Sequence, residues 1–149
     1  MVGYHLRNVV FAFVGFDSEI VQLAAKRDND EFNRYILQKK TYSSQVTGLY
    51  ITGAKLYYKG QQLATYPKDD VLKNCIQWLP NHALLTAHNC KSFDSMIIVS
   101  HMEGSNMMED FKVKVGGFPD TLPLFKQLFP KRQTYKQSSL ADDILPDRR

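Results

Sequence analysis

The chain has 149 residues, enough for one globular domain with a buried core and too few for several domains of ordinary size. Hydrophobic residues make up 44% of the sequence and charged residues 23%, a composition that excludes an intrinsically disordered chain. The net charge of +4 is not concentrated in a basic tail or arm, so charge alone is a weak argument for a nucleic-acid partner.

Cysteine content and hydropathy indicate the compartment. Cys75 and Cys90 are the two cysteines, too few for a disulfide framework or for a zinc site of their own. The apolar run at residues 9–16 is too short to cross a membrane, and residues 1–7 do not resemble the start of a signal peptide. We therefore expect a soluble intracellular protein, cytoplasmic or nuclear, with reduced thiols and no membrane association.

The first third of the chain predicts three strands. Residues 8–16 are almost wholly apolar and rich in β-branched and aromatic side chains, which is typical of a central strand buried on both faces. Asp17 and Ser18 predict a tight turn into a second strand at residues 19–25. Residues 31–36 alternate polar and apolar side chains and predict a third strand, so a hairpin leads the domain.

The middle of the chain predicts short elements and one amphipathic helix. Residues 43–48 predict a single helical turn, and residues 56–63 predict two short strands around a Lys-Gly turn. Residues 68–79 predict a helix with acidic residues in its first turn. One face of this helix is apolar and comprises Val71, Leu72, Cys75, Ile76 and Leu79.

The last part of the chain alternates strands and helices. Residues 83–87 predict a short buried strand, residues 92–102 and 106–111 two helices, and residues 113–118 an edge strand. Strands followed by alternating helices and strands predict a mixed α/β domain around one sheet, spanning residues 1–149.

Two further helices are predicted from their capping residues. Asp120 or Thr121 caps a helix that Pro130 ends. Ser139 and Asp142 resemble the capping box of a last helix that runs through residue 145. The first of these helices carries its apolar residues on one side, namely Leu122, Phe125, Leu128 and Phe129.

Three segments carry a resemblance to a known family. Residues 84–94, Leu-Leu-Thr-Ala-His-Asn-Cys-Lys-Ser-Phe-Asp, resemble the second motif of the DEDDh 3′–5′ exonucleases, in which a strand ends in Ala-His-Asn and a helix begins with Phe-Asp. Residues 46–49 are similar to the Val-Thr-Gly-Ile segment of that family. Residues 117–125 and the later Thr-Tyr-Lys at 134–136 are similar to its Asp-Thr-Leu helix and the stretch that follows.

The resemblance covers nearly the whole chain and is nearest to the three-prime repair exonucleases and to the exonuclease-like domain of promyelocytic leukaemia protein. It implies an RNase H-like fold, with a mixed central sheet flanked by helices. Enzymes of this group hydrolyse phosphodiesters with two divalent metal ions, held by four carboxylates, and use a histidine as general base. Two of the carboxylates belong to an Asp-x-Glu in the first strand, and one to the Phe-Asp of the second motif.

This sequence departs from the family pattern at the metal site. When residues 19–25 are matched to the second strand of the family, Ala12 stands at the Asp position and Val14 at the Glu position. Asp94 matches the Phe-Asp carboxylate. Residues 140–145 match the helix before the last one, so the C-terminal motif, with its histidine and aspartate, is expected to be absent.

One carboxylate cannot hold two magnesium ions, so the resemblance implies a catalytically inactive domain, a pseudo-nuclease that needs no cofactor. Its expected role is regulatory, as a module that binds single-stranded nucleic acid or a partner protein. An alternative is a fragment or splice form of a longer protein without a function of its own.

A third hypothesis keeps the enzyme active as a Mg²⁺- or Mn²⁺-dependent 3′–5′ exonuclease. Asp17 and Glu19 mimic the Asp-x-Glu motif, and with Asp94 and either Asp142 or Asp143 they would rebuild a carboxylate site. A polar turn between two strands is the simpler interpretation of this pair.

The other residues at the second motif also have structural interpretations. Asp94 suits a helix start, where it would accept backbone N–H bonds. His88 and Asn89 flank the former catalytic cleft, where a structural role is the simpler interpretation for His88.

The remaining candidates are surface and core residues. Cys75 and Trp78 are expected in helix packing, and the basic clusters at residues 39–40, 112–114 and 131–132 as solvated surface, with phosphate contact as the alternative. The absent last helix would leave apolar surface beside residues 9–16, so we expect a homodimer that covers it.

Overall fold

The computed structural model describes residues 8–16, 19–37, 42–43, 48–87 and 94–144. Within these ranges the chain forms ten strands and five helices. The strands are β1 (Asn8–Phe16), β2 (Glu19–Arg27), β3 (Asp30–Ile36), β4 (Tyr42–Ser43), β5 (Leu49–Thr52), β6 (Lys55–Tyr58), β7 (Gln61–Leu63), β8 (Thr65–Tyr66), β9 (Ala83–Thr86) and β10 (Val115–Gly117). The helices are α1 (Lys68–Trp78), α2 (Asp94–Gly104), α3 (Met108–Lys114), α4 (Thr121–Leu128) and α5 (Gln137–Ile144).

The larger sheet has six strands in the order β10-β9-β1-β2-β3-β8. The first three strands form an antiparallel meander, in which Ala12 pairs with Ala24 and Val14 with Gln22. β9 runs parallel to β1, and β10 runs parallel to β9 at the sheet edge. The apolar pattern of residues 8–16 therefore predicted an internal strand correctly, and the predicted mixed α/β class is confirmed.

A second sheet corrects the expectation of a single one. Strands β4, β5, β6 and β7 form a four-stranded antiparallel sheet. Ser43, which opens the stretch predicted as a helical turn, lies in β4, and residues 44–47 of that stretch lie outside the described residues. The Lys59-Gly60 hairpin was predicted correctly, since β6 and β7 flank it and both residues have the positive φ of a two-residue hairpin turn.

The main core lies between the larger sheet and the helices. All five residues of the apolar face predicted for residues 68–79 are buried, so that prediction is confirmed, although α1 ends one residue before Leu79. They pack with side chains from β2, β3, β9, α2 and α3, among them Leu23, Phe32, Leu85, Ile98 and Phe111. At roughly 25 cal/mol per Å² of apolar area removed from water, this cluster is the main favourable contribution to folding.

Two helices differ from the sequence expectations, α5 in where it begins and α4 in its burial. α5 begins at Gln137, so Ser139 lies inside the helix and is not its N-cap. α4 begins after Asp120 as predicted, yet it has no fully buried residue, and Leu128 and Phe129 are 58% and 41% exposed.

Within the described ranges, none of the helices combines the length and the apolar character needed to cross a bilayer.

Candidate functional site

The ends of β1 and β9 define the candidate site. The two strands pair in parallel through Asn8–Leu84, Val9–Leu85 and Val10–Thr86. Because parallel strands run in the same direction, their carboxyl ends lie at the same edge of a sheet, where α/β proteins bind ligands. β1 continues past this pairing to Phe16, and β9 forms the first part of residues 84–94, the segment that resembles the second motif.

The residues of β1 at this edge carry no metal-ligand atoms. Ala12 and Val14 lie on the continuation of β1 beyond the pairing with β9. A hard cation such as Mg²⁺ takes oxygen ligands, and neither an alanine nor a valine side chain supplies one. A backbone irregularity follows directly, between Val14 and Gly15, where the β1–β2 register shifts.

The start of α4 lies at the same edge. Ala87, just after β9, forms a parallel bridge with Asp120. The Ala87 N–H donates to the Pro119 carbonyl at 3.3 Å, and the Thr121 N–H donates to the Ala87 carbonyl at 3.2 Å. Two segments that carry the family resemblance, residues 84–94 and 117–125, are therefore joined by backbone hydrogen bonds.

Asp120 also places a carboxylate at this edge. The local sequence pattern had predicted Asp120 only as a helix cap. Its side chain accepts a hydrogen bond from the Leu122 N–H at 2.9 Å, which is the geometry of an N-cap. The predicted capping role is confirmed. Its position beside the end of β9 could not be read from the sequence, because the two residues lie 33 positions apart and local patterns do not report such contacts.

Some of the predicted site residues lie within the ranges that the structure describes, and others lie outside them. Asp94 is the first residue of α2, as expected for a residue at a helix start. His88, Asn89 and Asp17 lie outside the described residues. Glu19 is exposed and is the first residue of β2, where it pairs with Phe16.

The other carboxylates of the active-enzyme hypothesis lie on α5. Asp142 is exposed, and the Asp143 Oδ2 atom accepts from the Arg132 Nη2 atom at 2.6 Å in an ion pair. Across the ranges that the structure describes, no three His, Cys, Asp or Glu side chains come close enough together to hold a metal ion.

Cys75 and Trp78 lie where helix packing requires them. Cys75 is buried, and this burial raises the pKa of its thiol to about 12. The Trp78 Nε1–H donates to the Asp30 carboxylate at 3.0 Å, and the Arg27 guanidinium carbon lies 5.1 Å from the centroid of the indole ring. These contacts tie the end of α1 to the β2–β3 turn.

Three residues of the predicted basic clusters form ion pairs or hydrogen bonds within the protein. Lys112 pairs with Glu109 at 3.8 Å, and Lys114 donates to the Leu79 carbonyl at 3.2 Å. Arg132 has the ion pair with Asp143 already described. Residues 39 and 40 lie outside the described residues.

Neither a protein-family model nor a curated protein sequence matches the chain.

Proposed function

We propose that this protein is a non-catalytic, exonuclease-like binding module with an RNase H-like fold. The observation that carries the proposal is the parallel pairing of β1 with β9, combined with Ala12 and Val14 on the part of β1 beyond it. The resemblance expects carboxylates at those two positions, facing the second motif. Their replacement by hydrocarbon side chains removes ligand atoms from the place where the metal ions would bind.

The topology supports the fold part of the proposal. An antiparallel meander opens the larger sheet, and two parallel strands, β9 and β10, extend it beyond β1. This is a mixed central sheet with helices following its strands, as the resemblance implies. The hydrogen bonds between Ala87 and the start of α4 also join segments that the resemblance assigned to one family.

The chemistry of the two-metal reaction explains why activity is not expected. Two divalent ions about 4 Å apart stabilise both the attacking and the leaving oxygen of the phosphodiester. Several carboxylates are needed to neutralise and position such a pair of ions. Of the carboxylates that the resemblance assigns to the first two motifs, this sequence retains Asp94.

A calorimetric titration with Mn²⁺ tests the proposal. We expect no micromolar binding by the wild-type protein. The double substitution Ala12→Asp/Val14→Glu places carboxylates at the two positions where the resemblance expects them, and we expect it to gain binding of at least one ion. Adding Asp94→Asn to this variant should remove the gained binding.

Thermal unfolding of each variant provides the control that it is folded. Two-site micromolar binding by the wild-type protein, lost in Asp17→Ala or Glu19→Ala, would overturn the proposal. It would show that Asp17 and Glu19 are the first motif and that Ala12 and Val14 are misaligned.

A further inference from the structure

The sequence contains one segment with an unusual distribution of charge. Residues 32–68 contain no aspartate or glutamate, although the chain has 15 acidic residues in all. The basic residues of this segment are Arg34, Lys39, Lys40, Lys55, Lys59 and Lys68. It also holds six of the eight tyrosines of the chain, namely Tyr35, Tyr42, Tyr50, Tyr57, Tyr58 and Tyr66.

The smaller sheet, β4–β7, lies within this segment and is covered on one face. Leu49, Ile51 and Leu56 are buried there, together with Val21 of the larger sheet. Side chains alternate between the two faces of a strand, so the residues between these positions lie on the opposite face. That opposite face includes Tyr50 and Tyr57, which are both partly exposed.

We call this second face the tyrosine face and define it by Tyr50, Thr52, Lys55, Tyr57 and Gln62. Cross-strand pairing places these residues side by side, because Tyr50 pairs with Tyr57, Thr52 with Lys55, and Tyr57 with Gln62. The rings of Tyr50 and Tyr57 are stacked, with centroids 5.2 Å apart and planes inclined by 11°. Each ring therefore covers one face of the other, and exposed polar and basic side chains lie beside this aromatic pair.

Lysines lie at both ends of the strand that carries Tyr57. Lys55 is the first residue of β6, and Lys59 follows its last residue in the hairpin turn. Both are exposed, and their backbone positions lie about 13 Å apart at the usual rise of a β-strand. The Lys59 Nζ atom lies 5.2 Å from the ring centroid of Tyr58. Tyr58 pairs with the buried Leu49 and so lies on the face opposite Tyr57, which leaves Lys55 as the lysine of the tyrosine face.

We propose that the tyrosine face binds single-stranded nucleic acid. The aromatic pair would stack on exposed bases, while Lys55 would contact a phosphate. Single-strand binders combine aromatic stacking platforms with positive charge in this way, and stacking requires bases that are not enclosed in a duplex. A polyanion is the occupant that fits, because the whole segment carries positive charge and no carboxylate.

This surface is separate from the β1–β9 edge and needs neither metal nor catalytic carboxylates. The inference specifies the ligand of the non-catalytic module proposed above, and the two can be tested independently.

Fluorescence anisotropy with labelled oligothymidine and oligouridine of equal length tests the inference. EDTA is included so that no divalent ion contributes. We expect binding to both oligonucleotides at low salt, weaker binding to a duplex, and a loss of about tenfold in affinity for Tyr50→Leu or Tyr57→Leu. Tyr50→Phe and Tyr57→Phe keep the rings and should bind within about twofold of wild type. Lys55→Gln should reduce the dependence of affinity on salt.

Tyr66→Leu provides the matched control, because Tyr66 is 44% exposed but lies in β8 of the larger sheet. We expect its affinity to equal that of wild type, and thermal unfolding shows whether each variant is folded. A difference between the oligothymidine and oligouridine affinities identifies which nucleic acid the surface prefers.

Three results would overturn the inference. The first is that neither oligonucleotide binds at low salt. The second is that the folded wild-type protein and the folded leucine variants bind with equal affinity. The third is that phosphatidylserine vesicles bind in a way that depends on Tyr50 and Tyr57, while oligonucleotide binding does not depend on these residues. Shortening of the oligonucleotides when Mg²⁺ replaces EDTA, with tyrosine-dependent binding retained, would instead overturn the non-catalytic function and leave this surface intact.

Discussion

Cys75 shows how burial determines the chemistry of a single side chain. The thiol lies in the core on α1, and its pKa is raised to about 12 because burial disfavours the thiolate. Thiolate is the reactive form, so this cysteine is expected to be inert in the folded protein. With Cys90→Ser, which leaves Cys75 as the only cysteine, we expect no alkylation by iodoacetamide at pH 8 until guanidinium unfolds the chain.

The raised pKa of Cys75 also makes the stability of the folded protein depend on pH. The ordinary value of 9.0 applies to the unfolded chain, so the contribution of the protonated thiol to stability is present below pH 9 and is lost as the pH rises towards 12. Urea unfolding of wild type and Cys75→Val across this range measures the difference. Rapid alkylation of the folded protein at pH 8 would contradict the buried position.

A substitution at Asp94 distinguishes a structural role of this residue from a catalytic one. The residue begins α2, where a negative charge interacts favourably with the helix dipole by roughly 0.3–1 kcal/mol. We expect Asp94→Asn to lower the free energy of unfolding by about 0.5 kcal/mol and, like the wild-type protein, to show no micromolar Mn²⁺ binding. Mn²⁺ binding by the wild-type protein that Asp94→Asn removes without loss of stability would assign the carboxylate to a metal site.

At the scale of elements, the start of α4 depends on one capping side chain. Asp120 accepts from the Leu122 N–H, and α4 has no fully buried residue, so the cap is expected to contribute measurably to the stability of this helix. We expect Asp120→Ala to cost about 1 kcal/mol in urea unfolding. Asp120→Asn retains the acceptor and should cost much less, and equal losses for the two variants would argue against the cap.

A comparison of the elements with the sequence also shows which patterns were sufficient to predict secondary structure. The long apolar run of β1 and the 3.6-residue periodicity of α1 predicted a central strand and a buried helix face, because each pattern extends over nine or more residues. β5 has four residues, and the turn after it is Gly53-Ala54, in which an alanine adopts a φ of 58°. That turn is not a usual hairpin signal, so the second sheet could not be predicted.

Parts of the candidate site depend on long-range pairing. The order of the strands places β9 beside β1, and this order is not visible in either strand alone. The motif resemblance supplied the expectation that residues 84–94 approach the first strand, and the parallel pairing is compatible with it. By contrast, nothing local indicated that Asp120 would lie beside Ala87.

For the molecule as a whole, the homodimer stays a prediction. Large apolar side chains are exposed on α4, including Leu124 at 50% and Leu128 at 58%, and self-association would remove such surface from water. We expect light scattering at micromolar concentration to give twice the chain mass of 17.2 kDa. A mass of one chain that does not change up to high concentration would contradict this prediction.

The proposed non-catalytic function is tested most directly by a nuclease assay on the full chain. Single-stranded DNA and RNA, labelled at the 5′ end, are incubated with Mg²⁺ or Mn²⁺ and resolved by length. We expect both substrates to remain intact, because Ala12 and Val14 offer no ligand atoms at the positions where the proposed resemblance expects the carboxylates of the two-metal reaction. Progressive shortening from the 3′ end, retained through purification and abolished by Asp17→Ala or Glu19→Ala, would contradict the non-catalytic function.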